Sequence, residues 1–241
     1  MTADRAVAQR LLAVLPDIPR WMETRAVLMC DDCELDVVSE EPPVFVVGDP
    51  LMQMVSVVGE PPSELIRKAV ARIGECNVLA QEDNRRHVEA ALSGWLSTTA
   101  RLLLQADESA MQAVPPGDVR ILTGTILDGI PGVPGDLRDE LQRLLLRWPA
   151  VVAYTEEGEA AAFCAAGSPT EGLWDIGIDT LEPYRRQGYA AQAVRFLVDL
   201  MWERRKRPVW GALETNAASL ALAAKLGFRP VDTMVVFEQP D

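Results

Sequence analysis

The stretch that most restricts how this chain can fold is Leu173–Arg204. A strand-like run, Leu173–Thr180, passes there through one basic, glycine-bearing turn into a long helical run, Gln187–Arg204. A strand must therefore hand over to a helix inside that turn, and the neighbouring segments obey the same grammar. Val151–Tyr154 turns at Glu156-Glu157-Gly158 and pairs with Ala160–Ala165 as a hairpin. Beyond the long helix come a strand Val209–Glu214, a helix Ala217–Leu226 closed by Gly227, and a final strand Val231–Glu238. This half reads β-β-β-α-β-α-β. Ahead of it lie a strand at Val119–Leu122, a loop rich in Gly and Pro at Asp128–Gly135, and an amphipathic helix at Asp136–Arg147.

The first hundred residues have their own order of elements. Helical spacing marks Asp4–Leu15, and short strand-like runs at Ala26–Met29, Glu34–Val38 and Val44–Val47 suggest an antiparallel meander. A helix at Ser63–Ile73, a strand at Asn77–Ala80, a helix at Asp83–Leu92 and a strand at Thr98–Leu104 give β-α-β-α-β grammar. The polar stretch Gln105–Gly117, ending Pro115-Pro116-Gly117, is the expected boundary between a smaller α/β lobe at 1–110 and a second domain at 118–241. Whether the first lobe is a degenerate copy of the second or an unrelated acceptor-binding domain is left open by the sequence.

Charge and composition exclude several classes of function. A net charge of −13 over 241 residues argues against a broad nucleic-acid or anionic-membrane surface, which needs clustered Lys and Arg. No apolar run approaches the ~20 residues needed to cross a bilayer. Met1–Arg10 lacks the basic-then-apolar order of a secretory signal, so a cytoplasmic location is expected. The four cysteines are expected as free thiols. Cys30-Asp31-Asp32-Cys33 has metal-ligand spacing, but Cys76 and Cys164 are isolated and His87 sits in a polar helix, so no metal is expected. The basic cluster Glu203–Arg207 is read as a helix terminus, where cations are favoured, rather than as a nucleic-acid patch.

The turn Thr180–Ala190 carries the chemistry. Unpaired N–H groups at a helix start favour an anion, Gly188 removes the side chain that would block its approach, and Arg185 and Arg186 add positive charge.

Arg185-Arg186-Gln187-Gly188-Tyr189-Ala190 resembles the Arg/Gln-x-x-Gly-x-Gly/Ala signature of GCN5-related N-acetyltransferases (GNAT). Asn216-Ala217-Ala218-Ser219-Leu220 followed by Ala224-Lys225-Leu226-Gly227-Phe228 resembles the family's second signature. The resemblance covers Val151–Glu238 well and Asp118–Trp148 loosely. It implies a mixed, mostly antiparallel sheet with a splayed central strand pair, and acetyl-CoA as cosubstrate. The pyrophosphate would be held by Arg185, Arg186, Gln187, Gly188, Tyr189 and Ala190, with Ile178, Asp179 and Thr180 along the pantetheine, Asn216 near the cofactor arm and Phe228 as packing. Val209–Glu214 would be the splayed partner strand.

The resemblance implies transfer of an acetyl group to a primary amine of a small molecule or peptide by direct attack on the thioester. Many members carry a tyrosine four residues before the final Gly-Phe glycine; Ala223 stands there, so Ser219 or water would have to serve. Strand position makes Glu214 and Asp175 the candidate bases. In two-lobed relatives the acceptor binds between lobes, which would bring Asp128–Gly135 to the entrance. A strand edge near Val231–Glu238 is the candidate dimer contact. A non-catalytic acyl-CoA-binding module and a protein-modifying acyltransferase stay open as alternatives.

Overall fold

In the computed structural model, which describes residues 3–105 and 111–240, two segments run strand, helix, parallel strand, each preceded by two antiparallel strands. The first half is built from α1 (Ala3–Val14), α2 (Pro19–Met29), β1 (Glu34–Glu40), β2 (Pro43–Asp49), β3 (Met54–Val58), α3 (Ser63–Ile73), β4 (Asn77–Ala80), α4 (Arg85–Ala91) and β5 (Leu96–Leu104). The second half is built from β6 (Asp118–Leu122), α5 (Gly124–Gly129), α6 (Gly135–Leu145), β7 (Ala150–Tyr154), β8 (Ala160–Gly167), β9 (Leu173–Thr180), α7 (Tyr189–Glu203), β10 (Arg207–Leu213), α8 (Ala217–Lys225) and β11 (Arg229–Glu238). After β6, the second half repeats the α-α-β-β-β-α-β-α-β order of the first. The fold is a mixed α/β one, mostly antiparallel, with parallel pairing at β3–β4 and at β9–β10.

Packing gathers the chain into two units that are not successive stretches. The first comprises Met1–Leu102, Gly211–Ala217 and Pro230–Asp241; the second comprises Leu103–Trp210 and Ala218–Arg229. The last strand is thus counted with the first unit, whereas the sequence suggests separate lobes at 1–110 and 118–241. Residues 106–110, inside the expected boundary, lie outside the described residues.

In the first unit the strand order is β1-β2-β3-β4-β11-β5, and β11 meets β4 with Val235 opposite Ala80 and Phe237 opposite Val78. Since β11 lies between β4 and β5, it offers no free edge, which corrects the expectation of a dimer contact there. Its Val235 and Phe237 complete a core with Val46, Val55, Ile66, Val78 and Val88. On the other face Leu11, Leu15, Val27 and Leu28 pack on Phe45 and Val47. Ala26–Met29, read as a strand, is the last turn of α2: Ala, Leu and Met are strong helix formers, and a short apolar run alone cannot tell helix from strand.

The second unit is ordered β10-β9-β8-β7-β6. Strand β8, Ala160-Ala161-Ala162-Phe163-Cys164-Ala165-Ala166-Gly167, is buried along nearly its whole length because helix α7 and helix α6 both pack on it. The alanines let both helices approach closely. The buried face of α7, Ala193, Val194, Leu197, Val198 and Met201, fixes that helix over β7, β8 and β9. Helix α5, which meets the expected loop Asp128–Gly135 only at its last two residues, is capped by Thr123, whose hydroxyl accepts from the Ile126 N–H at 3.3 Å.

Phe237→Ala removes a fully buried side chain that the chain's last strand supplies to the first unit's core. The expected cost is about 3–5 kcal/mol, read as a lower midpoint in urea unfolding.

Candidate active site

The site begins where two strands part. Strands β9 and β10 pair in parallel only from Leu173↔Arg207 to Asp175↔Val209, and no ladder pair between them follows. On its other side β9 stays paired with β8 as far as Thr180↔Ala162. Ile176–Thr180 therefore presents a backbone edge that β10 does not cover, a length of about 16 Å at ~3.3 Å per residue.

At the end of that edge the chain makes a short 3-10 turn, Glu182–Tyr184, and enters α7. Two left-handed residues shape the junction: Arg186 at φ 62° and Gly188 at φ 97°. A non-glycine residue in that region is uncommon and costs energy that the surroundings must hold in place. Left-handed residues so close together turn successive N–H groups to one side, making a concavity suited to an anion. Among the described residues, none of the N–H groups from Arg186 to Ala191 donates to a backbone carbonyl; the first such bond in α7 runs from the Gln192 N–H to Gly188. A side-chain carbon added at Gly188 would meet no atom within 4 Å, so the space over the cradle is open. Arg185 is steered by its Nε–H donating to the Thr180 carbonyl at 3.3 Å, and Gln187 by its amide donating to Pro183 at 2.9 Å.

The matching junction of the first unit, Val58-Gly59-Glu60-Pro61-Pro62-Ser63-Glu64, keeps a left-handed glycine, Gly59 at φ 66°, but offers no such cradle. Pro61 and Pro62 have no N–H to give, and Glu60 and Glu64 would repel an anion. A carbon added at Gly59 would strike the Val44 side chain at 3.0 Å and the Pro43 carbonyl at 3.1 Å. The strand end is sealed as well: the buried Asn84 amide donates to the carbonyls of Val57, at 3.2 Å, and Gly59, at 2.8 Å.

Beside the open edge of β9, Asp175, Gly177 and Asp179 alternate onto one face and Ile176, Ile178 and Thr180 onto the other. The Asp179 carboxyl is pushed above its ordinary value, first by lost hydration and then by the charge of Asp136, with Arg185 opposing. Glu140 of α6 is pushed up by lost hydration and by Asp179 and Asp136, with Arg143 opposing. The charge of Asp136 thus bears on both Glu140 and Asp179, and that of Asp179 on Glu140. The sequence singles out Asp179 but not Glu140, whose place in an ordinary amphipathic helix carries no signal.

The remaining sequence-selected residues fall elsewhere. Ser219, on α8, accepts a hydrogen bond of 2.9 Å from the Trp210 indole N–H. Glu214 lies in the first unit, bound to Arg101 at 2.9 Å, an ion pair that occupies its carboxylate. Asn216 is exposed at the start of α8 and also belongs to the first unit. Ala223 is fully buried. Cys164, opposite Ile178, is completely buried, and burial pushes its thiol far up, which rules it out as a thiolate nucleophile. Among the described residues no group of three or more His, Cys, Asp or Glu side chains is placed to hold a metal, and no helix is long and apolar enough to cross a membrane. A groove of about 670 Å³ along α6, lined by Gly124, Asp139, Gln142, Arg143, Leu145 and Leu146, contains none of the site residues.

Residues 151–237 match the family model described as GNAT acetyltransferase. The C-terminal half of this chain carries a GNAT domain. Among solved structures, a GCN5-related N-acetyltransferase-like protein from Streptococcus suis superposes with a TM-score of 0.70 at 18% identity, covering 98% of each chain. A GNAT-family acetyltransferase from Colwellia psychrerythraea gives 0.57 at 15% identity, covering 99% of this chain and 97% of that one. A tandem GNAT protein from the clavulanic acid biosynthesis pathway gives 0.55 at 14% identity, covering 98% of this chain and 95% of that one. At such identities the likeness is one of fold. No curated protein matches the chain. The fold likeness reaches beyond the GNAT domain itself to nearly the whole chain, in keeping with the element order that occurs twice.

Raised carboxyls have a signed consequence for stability. The folded state holds the Asp179 proton more tightly than the unfolded chain, so this group costs stability as pH rises through the carboxylate range. Asp179→Asn should gain on the wild type between about pH 4.5 and about pH 7.5, compared by urea unfolding at both.

Proposed function

We propose that this protein is an acetyl-CoA-dependent N-acetyltransferase that passes an acetyl group to a primary amine of a small molecule or peptide. One observation carries the proposal: an open anion cradle, Arg186–Ala191, sits at the end of a strand edge left uncovered by β10. The cradle suits a pyrophosphate, and the edge at Ile178, Asp179 and Thr180 suits the amides of an extended pantetheine arm, added like a further strand. The sulfur end of the arm then points back toward the place where the two strands part.

The chemistry follows from what the acceptor must be. An ammonium has no lone pair, so a proton must leave it before nitrogen attacks the thioester carbonyl. Asp179 is the base in this scheme. Its raised affinity for a proton favours taking one from an amine, and Glu140 and Asp136 make the approach from the α6 side attractive to a cation. The carbon–nitrogen bond forms, the carbon–sulfur bond breaks, and free CoA leaves. Transfer is direct in this scheme, and the buried Cys164 thiol on the neighbouring strand offers no thiolate to carry the acetyl group.

The test is calorimetric titration with acetyl-CoA, followed by thiol release over a panel of amines. One equivalent should bind per chain, since only one of the two equivalent junctions keeps a cradle. Gly188→Trp should abolish that binding without unfolding the protein. Asp179→Asn should lower kcat by about 10²–10⁴ while leaving acetyl-CoA affinity near the wild-type value. Binding without release on any amine would favour a sensor over an enzyme, and absence of binding would sink the proposal.

A further inference from the structure

We propose that β6 pairs with β6 of a second copy of this chain, antiparallel about a two-fold axis at Val119, joining the sheets of two second units into one. The proposal stands on the far edge of that sheet and is independent of the acyl-CoA reading. In the order β10-β9-β8-β7-β6 the last strand ends the sheet. Among the described residues its ladder partner is β7 alone, from Asp118↔Tyr154 to Leu122↔Ala150. About half of its backbone N–H and C=O groups therefore face outward. Charge on an edge strand normally discourages pairing, but here the order of the signs favours one partner. Asp118 and Arg120 lie on one face of β6, both exposed, with the Arg120 Nε–H donating to Asp118 at 2.9 Å and the guanidinium 4.7 Å from the centre of the Tyr154 ring. In an inverted copy centred on Val119, Asp118 falls opposite Arg120 of the other chain and Arg120 opposite Asp118, closing a ring of four alternating charges. An axis at Asp118 or at Arg120 would set like charges opposite each other, so charge selects the register.

The other face of β6 adds apolar cover. A side-chain carbon at Gly117 would collide with the Gln192 side chain of α7, so alternation turns Val119 and Ile121 toward that helix as well. Ile121 is 44% exposed there, and Phe196, four residues beyond Gln192 on the same stripe of α7, is 38% exposed. Helix α7 returns along β9, and the antiparallel pairings β9–β8, β8–β7 and β7–β6 make β6 run the same way as the helix. Four helical residues advance about 6 Å and two strand residues about 6.6 Å, which sets Phe196 level with Val119, beside the axis. The two-fold therefore brings Phe196 of each copy toward the other and lays Ile121 opposite Gly117. Pro116 has no N–H to give, so the ladder ends at Gly117 and the contact is short. A dimer of this kind forms and parts with concentration.

The test is sedimentation equilibrium from about 1 μM to about 200 μM on wild type, Asp118→Arg, Arg120→Asp and the double variant carrying both changes. Wild type should pass from monomer toward dimer across that range, with Kd on the order of 10–100 μM. Each single substitution sets like charges opposite each other and should weaken self-association at least about 10-fold. An equimolar mixture of the two single variants should dimerise again, because an acidic strand then meets a basic one, and the double variant should match wild type. Urea unfolding checks that each variant folds. Should a single variant fail to fold, the double variant, which keeps an acid–arginine pair within the strand, decides by its own mass. Wild type that stays monomeric at about 200 μM overturns the proposal. Single variants that dimerise as wild type does place the contact elsewhere and overturn it too, and a mixture that stays monomeric overturns the register.

Discussion

Everything that distinguishes this site depends on a hydrogen-bond ladder that stops early. Strands β9 and β10 share only the pairs from Leu173↔Arg207 to Asp175↔Val209. A backbone edge with no partner is costly inside a folded protein unless water or a ligand meets it. Tight packing of β9 on β8, and of α7 over both, holds that edge apart from its parallel neighbour. The cradle at Arg186–Ala191 is then a consequence of geometry. A helix that starts where the strand ends directs its free N–H groups toward whatever lies along the edge.

The two halves show how the same order of elements can keep such a site or lose it. Both contain a strand, a helix and a parallel strand in the same context. In the first, prolines take away the N–H donors, acidic residues reverse the charge, and the Asn84 side chain donates to the carbonyls at the end of the strand. The polar groups of that strand are satisfied internally. In the second they are left for something else to satisfy, and the contrast is independent of any relative's function.

Element order in the second half is legible in the sequence because period changes and Gly caps are local signals, and Leu173–Thr180 coincides with β9 as folded. The cradle is legible too, since Gly188 and two arginines sit within one turn. Other features depend on tertiary packing. Ala26–Met29 is helical, and its Val27 and Leu28 pack with Leu11 and Leu15 of the preceding segment, a contact that a short apolar run does not announce. Glu140 and Asp179 come together only when α6 lies on the sheet, and the Trp210–Ser219 bond needs α8 to fold back on β10. The alternation of β9 names Asp175 and Asp179 equally, but only their surroundings separate them.

The assignment of residues 211–217 and 230–241 to the first unit has a consequence for how this protein is made. The first unit's core includes Val235 and Phe237 of β11, which follow nearly all of the second unit in the sequence. A ribosome synthesising from the N-terminus would have completed α1 to β5 long before β11 emerged, leaving that sheet one strand short. The early half therefore stays an unfinished sheet, with an open position beside β4, until β11 has been made.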